Sequence, residues 1–134
     1  LDFQTVVIDP RKVFAAKERF LYEPDHLIDK WPQDILEDWP LHEDTYTILL
    51  THDPKIDDPA LEILLKHKLS YIGALGSRKT HAERCARLQE AGIPEERIQF
   101  IKGPAGLDIG ATTAAEIALS MIGEVISAKR GNLT

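Results

Sequence analysis

The sequence predicts an α/β domain organised around a mostly parallel sheet, and three observations carry that expectation. Segments of strand character alternate with segments of helical periodicity along most of the chain. The strands read as continuous apolar runs, as strands covered on both faces do. Connections between them are long enough to hold a helix, the usual crossover between parallel neighbours.

Phe3 to Ile8 is the first expected strand, β-branched and closed by Asp9-Pro10-Arg11, because proline cannot donate to a ladder. His26-Leu27-Ile28 reads as a short strand, and Pro32 to Trp39 as a helix of about two turns. Tyr46 to Leu50 is again a strand, ending in Thr51-His52-Asp53-Pro54. Asp57-Asp58-Pro59 then supplies an aspartate N-cap and a proline at the first helical position; the pairs Ala60/Leu61 and Leu64/Leu65 carry that helix to about Lys68. Ser70 to Ala74 is a strong strand, after which Ser77 caps a helix stopped by Gly92 and Pro94. Arg97 to Ile101 is expected as a short strand, and Gly103 to Ala111 as a loop carrying three glycines. Thr113 and Glu116 form a capping box, and Ile117/Ala118, Met121/Ile122 and Val125/Ile126 draw one apolar face down to Lys129-Arg130-Gly131.

At 134 residues and 43% hydrophobic, the chain suits one core and is too short for two ordinary domains, so residues 1–134 are read as one domain. A net charge of −6 removes the long-range attraction that nucleic-acid binding needs. Cys85 is the single cysteine, which excludes an intrachain disulfide or a multi-cysteine zinc site and suits a reducing cytoplasm. No apolar stretch reaches the length of a membrane span, and no secretory signal pattern opens the chain, so a cytoplasmic location is expected.

In open parallel sheets, ligands bind outside the carboxyl ends of the strands. Four loops answer that description: Asp9-Pro10-Arg11, Thr51-His52-Asp53, Gly73 to Arg78, and Gly106 to Gly110; they are expected on one edge. Gly76-Ser77 alone is a turn with an N-cap, but Arg78 and Lys79 follow it, and cations in a first helical turn are disfavoured by the dipole unless they face an anion. Asp9 can accept from a ribose hydroxyl or close an Asx turn before Pro10. Asp108 is a charge in an apolar loop and a candidate site residue. Glu116 belongs to the capping box. His52-Asp53 with Asp57 and Asp58 lacks a second histidine at ligand spacing, so no metal site is expected. His67 and His81 are read as solvated, Cys85 as a small buried side chain, and no catalytic residue is assigned. The residues by themselves reach an α/β domain with an anion- or nucleotide-like site.

Asp9-Pro10-Arg11, Glu18-Arg19-Phe20, Thr51-His52-Asp53, Tyr71-Ile72-Gly73 with Gly76-Ser77-Arg78, and Gly106-Leu107-Asp108-Ile109-Gly110-Ala111 leading into Glu116-Ile117-Ala118 together resemble the C-terminal Rossmann-type domain of the XdhC/CoxI family, in order and over nearly the whole chain. The resemblance implies a three-layer Rossmann-like fold. It also implies a maturation chaperone that binds the molybdenum cofactor, a phosphate-bearing pterin dithiolene, through Asp9, Arg11, Thr51, His52, Asp53, Gly73, Gly76, Ser77, Arg78, Gly106, Asp108 and Gly110. The partners it implies are the apo-form of a molybdenum hydroxylase such as xanthine dehydrogenase, a cysteine desulfurase for cofactor sulfuration, and a second copy in a homodimer. The alternative is an NAD(P)-dependent oxidoreductase, in which Asp9 holds a ribose and His52 or Asp108 handles a proton. The family pattern places a strand and a glycine-rich turn before the strand that ends at Asp9, and this sequence has neither. A fragment is therefore expected, with an N-terminal segment or a second chain completing the sheet beside Phe3 to Ile8.

Overall fold

Branched side chains at Val6, Val7 and Ile8 restrict the backbone to strand β1 (Val6–Ile8) in the computed structural model, which describes residues 3–12, 14–20 and 22–132. β1 runs parallel to β2 (His26–Ile28), with Val6 opposite His26 and Ile8 opposite Ile28. A 3-10 turn at Lys17–Arg19 lies on the crossover. Helix α1 (Pro32–Leu36) begins on proline, whose missing N–H costs nothing at that position. It is shorter than the sequence suggests, because Pro40 disfavours helical backbone at Trp39 and the chain leaves the helix at Glu37. These elements form one compact unit, Leu1–Pro40, and a second comprises Leu41–Thr134.

Within the second unit, β3 (Tyr46–Leu49) pairs in parallel with β4 (Tyr71–Ala74), Tyr46 opposite Tyr71 and Leu49 opposite Ala74. The crossover is α2 (Pro54–Leu64), which starts one aspartate-proline pair earlier than expected: Asp53 is the cap, its carboxylate accepting from Lys55 N at 3.0 Å. Pro59 therefore sits inside the helix, where it removes one backbone bond, and Asp58 is a helical residue paired with Arg87 at 2.6 Å. The helix ends at Leu64, ahead of the expected Lys68. Helix α3 (Arg78–Glu90) is capped by Ser77 as expected.

The expected strand at Arg97 to Ile101 is replaced by helix α4 (Glu95–Ile98). Pro94 stands in extended conformation at the N-cap and Glu95 and Glu96 fill the first turn, which the dipole favours, so strand character shrinks to a parallel bridge between Gly73 and Lys102. Helix α5 (Ala114–Lys129) carries the complete capping box of Thr113 and Glu116. Its buried face is Ser120, Met121, Glu124 and Val125, whereas Leu119 is 65% exposed and Ile126 also faces outward. Apolar periodicity located the helix and missed the polar members of its inner face.

Leu61 and Ile72 are fully enclosed, with Tyr71 and Leu88 nearly so, and they centre the core of the second unit on α2, β4 and α3. Burying a side chain of this size contributes about 1.5–3 kcal/mol each. Among the described residues the strand pairings are β1 with β2 and β3 with β4, and the far side of β4 carries the bridge to Lys102. No helix among the described residues is long and apolar enough to cross a membrane.

Candidate functional site

Three loops leave the carboxyl ends of parallel segments in the second unit. Leu75 N donates to Leu49 O at 2.9 Å, which brings the loop after β3 beside the turn after β4, and Ala105 N donates to Ala74 O at 3.0 Å, which brings in the glycine loop. Parallel order thus places Thr51, His52 and Asp53, then Gly76, Ser77 and Arg78, then Gly106, Asp108 and Gly110 on one sheet edge.

The turn at Gly76 is the most built of the three. Gly76 has φ +141°, a conformation other residues rarely adopt, and a Cβ there would press on Thr80 at 3.2 Å. Ser77 Oγ accepts from Thr80 N at 3.1 Å and so satisfies one of the free amides of the first turn. The N–H groups of Arg78 and Lys79 have no partner among the described residues, and both side chains are exposed without an ion pair among those residues. Two amides and two cations thus stand together at one helix start, groups of the kind that attract an anion.

Thr51 organises the neighbouring loop. Its hydroxyl accepts from Asp53 N at 3.1 Å and donates to Asp57 Oδ1 at 2.7 Å. His52 between them is exposed and left-handed at φ +62°, a strained conformation for a residue with a Cβ. Asp57, read from sequence as part of a cap, is instead buried in the first turn of α2. Burial raises its carboxyl above the usual aspartate range, opposed by the Thr51 hydroxyl and by the charge of Arg84.

Because folded Asp57 holds its proton more tightly than the unfolded chain does, the group favours the fold below the ordinary aspartate pKa and costs stability as the pH rises through its folded value. Asp57→Asn keeps an oxygen for the Thr51 hydroxyl and removes that cost. Urea denaturation across pH is expected to show the variant gaining on the parent over the range in which the pH rises above the ordinary aspartate value of about 3.9. A stability difference that stays flat over that range would show that the carboxyl carries no such penalty.

The glycine loop is held from below. Gly106 N donates to Glu124 Oε1 at 3.0 Å, and the same oxygen accepts from the Tyr71 hydroxyl at 2.5 Å. Gly106 has φ +113°, and a Cβ there would lie 2.4 Å from Ser120 Oγ. Asp108 and Gly110 are exposed at the loop tip. Gly73 lies within β4, before the turn, where a Cβ would sit 2.5 Å from the Tyr71 hydroxyl; packing explains this glycine.

Asp9 and Arg11 belong to the first unit. Arg11 N donates to Asp9 Oδ1 at 2.9 Å, the Asx turn offered by the sequence, and the Arg11 guanidinium binds both carboxylate oxygens, at 2.9 and 2.7 Å. Burial would raise the Asp9 pKa, but its bonds to Arg11 and that cation's charge hold it below the usual value. Asp9 is thus an ionised acceptor already engaged by its neighbour.

Four residues of this region escape a reading by motif: Asp57, Arg84, Glu124 and His81. His81, expected in solvent, is half-buried against Gly103, where a Cβ would come 2.1 Å from its ring. Its Nε2 stands 3.4 Å from Cys85 Sγ. Burial and Arg84 push the imidazole pKa down, while burial pushes the thiol up, so both are neutral near pH 7 and Cys85 is no activated thiolate.

Residues 1–125 match the XdhC Rossmann domain. The chain is 36% identical over 104 residues to the Escherichia coli protein PaoD, named a molybdenum cofactor insertion chaperone, covering 78% of this chain and 32% of that one. It is 30% identical over 128 residues to a Bacillus subtilis protein named as a probable subunit of xanthine dehydrogenase, covering 96% and 36% respectively. A crystal structure from Bacillus halodurans, described as a xanthine dehydrogenase, superposes with a TM-score of 0.80 at 32% identity, over 96% of this chain and 36% of that one. The chain therefore spans about a third of the length of these relatives. With the family profile running through both compact units and the sheet-edge loops in their expected order, the chain belongs to the XdhC family and carries its Rossmann-type domain.

Proposed function

We propose that this chain is the cofactor-binding part of a chaperone that assists insertion of the molybdenum cofactor into a molybdenum hydroxylase. One observation carries the reading: the Gly76-Ser77 turn presents two amides without a partner among the described residues, and two exposed cations, at the carboxyl edge of the sheet. The phosphate of a molybdopterin suits that turn, because a dianion gains from the helix start and from Arg78 and Lys79 together. Thr51, His52 and Asp108 stand on the same edge and supply hydroxyl, imidazole and carboxylate contacts for the pterin. Membership of a family that includes a named cofactor insertion chaperone points the same way.

The side of β1 away from β2, which carries no strand among the described residues, is in this reading where a further strand pairs. The test is anaerobic calorimetry with purified molybdenum cofactor, NADH and NADPH on this chain and on a version extended at its N-terminus. Cofactor binding without nucleotide binding is expected. Nucleotide binding alone would replace the chaperone with the oxidoreductase reading. Cofactor binding by the extended version only would assign half the site to the added segment.

A further inference from the structure

Arg84 is 3% exposed, the most deeply buried charge among the described residues, and it forms no ion pair there. Burial of a guanidinium is costly unless its donors are satisfied in a fixed geometry. Here Nη2 donates to the Leu75 carbonyl at 3.1 Å, and Nη1 donates to His81 Nδ1 at 3.2 Å. His81 is in turn seated on Gly103, so the guanidinium is braced on one side by the imidazole and hooked to the backbone on the other. Leu75 is the residue between β4 and Gly76, and a Cβ at Gly76 would lie 3.7 Å from Nη2. Asp57 is near enough for the Arg84 charge to lower its pKa without contact, so the bases of the Thr51 loop and of the Gly76 turn share one buried cation.

We infer that Arg84 is the positioning residue of the Gly76-Ser77 turn: by holding the Leu75 carbonyl from beneath, it aims the amides of Arg78 and Lys79 outward and backs them with positive charge. The assignment of an anion to that turn rests on the function proposed above, whereas the hold on Leu75 does not. Arg84 touches no ligand in this arrangement and acts through the backbone.

The experiment compares the parent with Arg84→Met, which keeps the apolar stem and removes the donors, and with Arg84→Lys, which keeps one donor and the charge. Amide hydrogen exchange of residues 75–80 is read against that of α5, and inorganic phosphate is titrated by NMR into the same samples. Arg84→Met is expected to speed exchange at 75–80 about tenfold or more while α5 is unchanged, and to weaken phosphate binding about tenfold. Arg84→Lys is expected to restore most of both. A purely structural role would slacken the core and speed exchange in α5 as well, with no recovery of phosphate affinity in Arg84→Lys. Exchange at 75–80 that is unchanged in Arg84→Met overturns the inference. Parent chain that binds no phosphate, combined with faster exchange in Arg84→Met, would sink the anion-site reading and leave the positioning role standing. Should Arg84→Met fail to fold, Arg84→Gln carries the same comparison.

Discussion

Replacing Glu124 with alanine is expected to cost the second unit about 3 kcal/mol of stability. One carboxylate oxygen on α5 serves two donors that are far apart in the chain: the Tyr71 hydroxyl of β4, at 2.5 Å, and the amide of Gly106, at 3.0 Å. Tyr71 is 1% exposed, so its hydroxyl has no route to water if the acceptor is lost. Burial, and then the hydrogen bond to Glu124 and its charge, push the phenol pKa far above its ordinary value and keep the hydroxyl a donor. Alanine strands both donors, at about 1–3 kcal/mol for the buried hydroxyl, and opens a void at the buried face of α5. Glu124→Gln retains an oxygen and should stay within about 1 kcal/mol of the parent, consistent with a neutral acceptor in the same place. Urea unfolding measures both. Tyr71→Phe should cost less in the Glu124→Ala background than in the parent, because no hydroxyl remains to be stranded. Equal midpoints for the alanine and glutamine variants would show that this network does not hold the glycine loop.

Glu124 also marks where reading the sequence runs out. Ser77 and Thr113 were legible as caps because the amides they accept from lie three residues ahead. The partners of Glu124 are 53 and 18 residues away, and along α5 a glutamate simply interrupts an apolar pattern. Arg84 is similar: among Arg78, Lys79, Arg84 and Arg87 nothing in the spacing separates the buried cation from the others, since its burial depends on a carbonyl at the end of another element. The start of α2 failed for a different reason. Asp53-Pro54 and Asp58-Pro59 are the same local signal given twice, and the choice is made by packing, which buries Ile56 and Asp57 in the first turn. Loops at the strand ends were placed correctly along the edge of the second unit because parallel order alone puts carboxyl ends together.

The site itself is tested most directly at Arg78. Arg78→Ala is expected to lower affinity for the molybdenum cofactor roughly tenfold, about 1.5 kcal/mol, the lower end for one charge-assisted hydrogen bond because the residue is exposed and solvent screens it. The main-chain amides at the start of α3 remain, so binding weakens without vanishing. Arg78→Lys restores the charge but not the planar pair of donors, and should recover only part of the loss. Since the side chain makes no contact that holds the fold among the described residues, both variants should melt with the parent. Raising the salt concentration should shrink the gap between parent and alanine variant, as it does for any interaction between an exposed cation and an anion. Calorimetry at two ionic strengths reads all of this. Unchanged affinity in a folded Arg78→Ala variant would mean that the cations after Ser77 face solvent for some other reason, and the anion-site reading of this turn would fall.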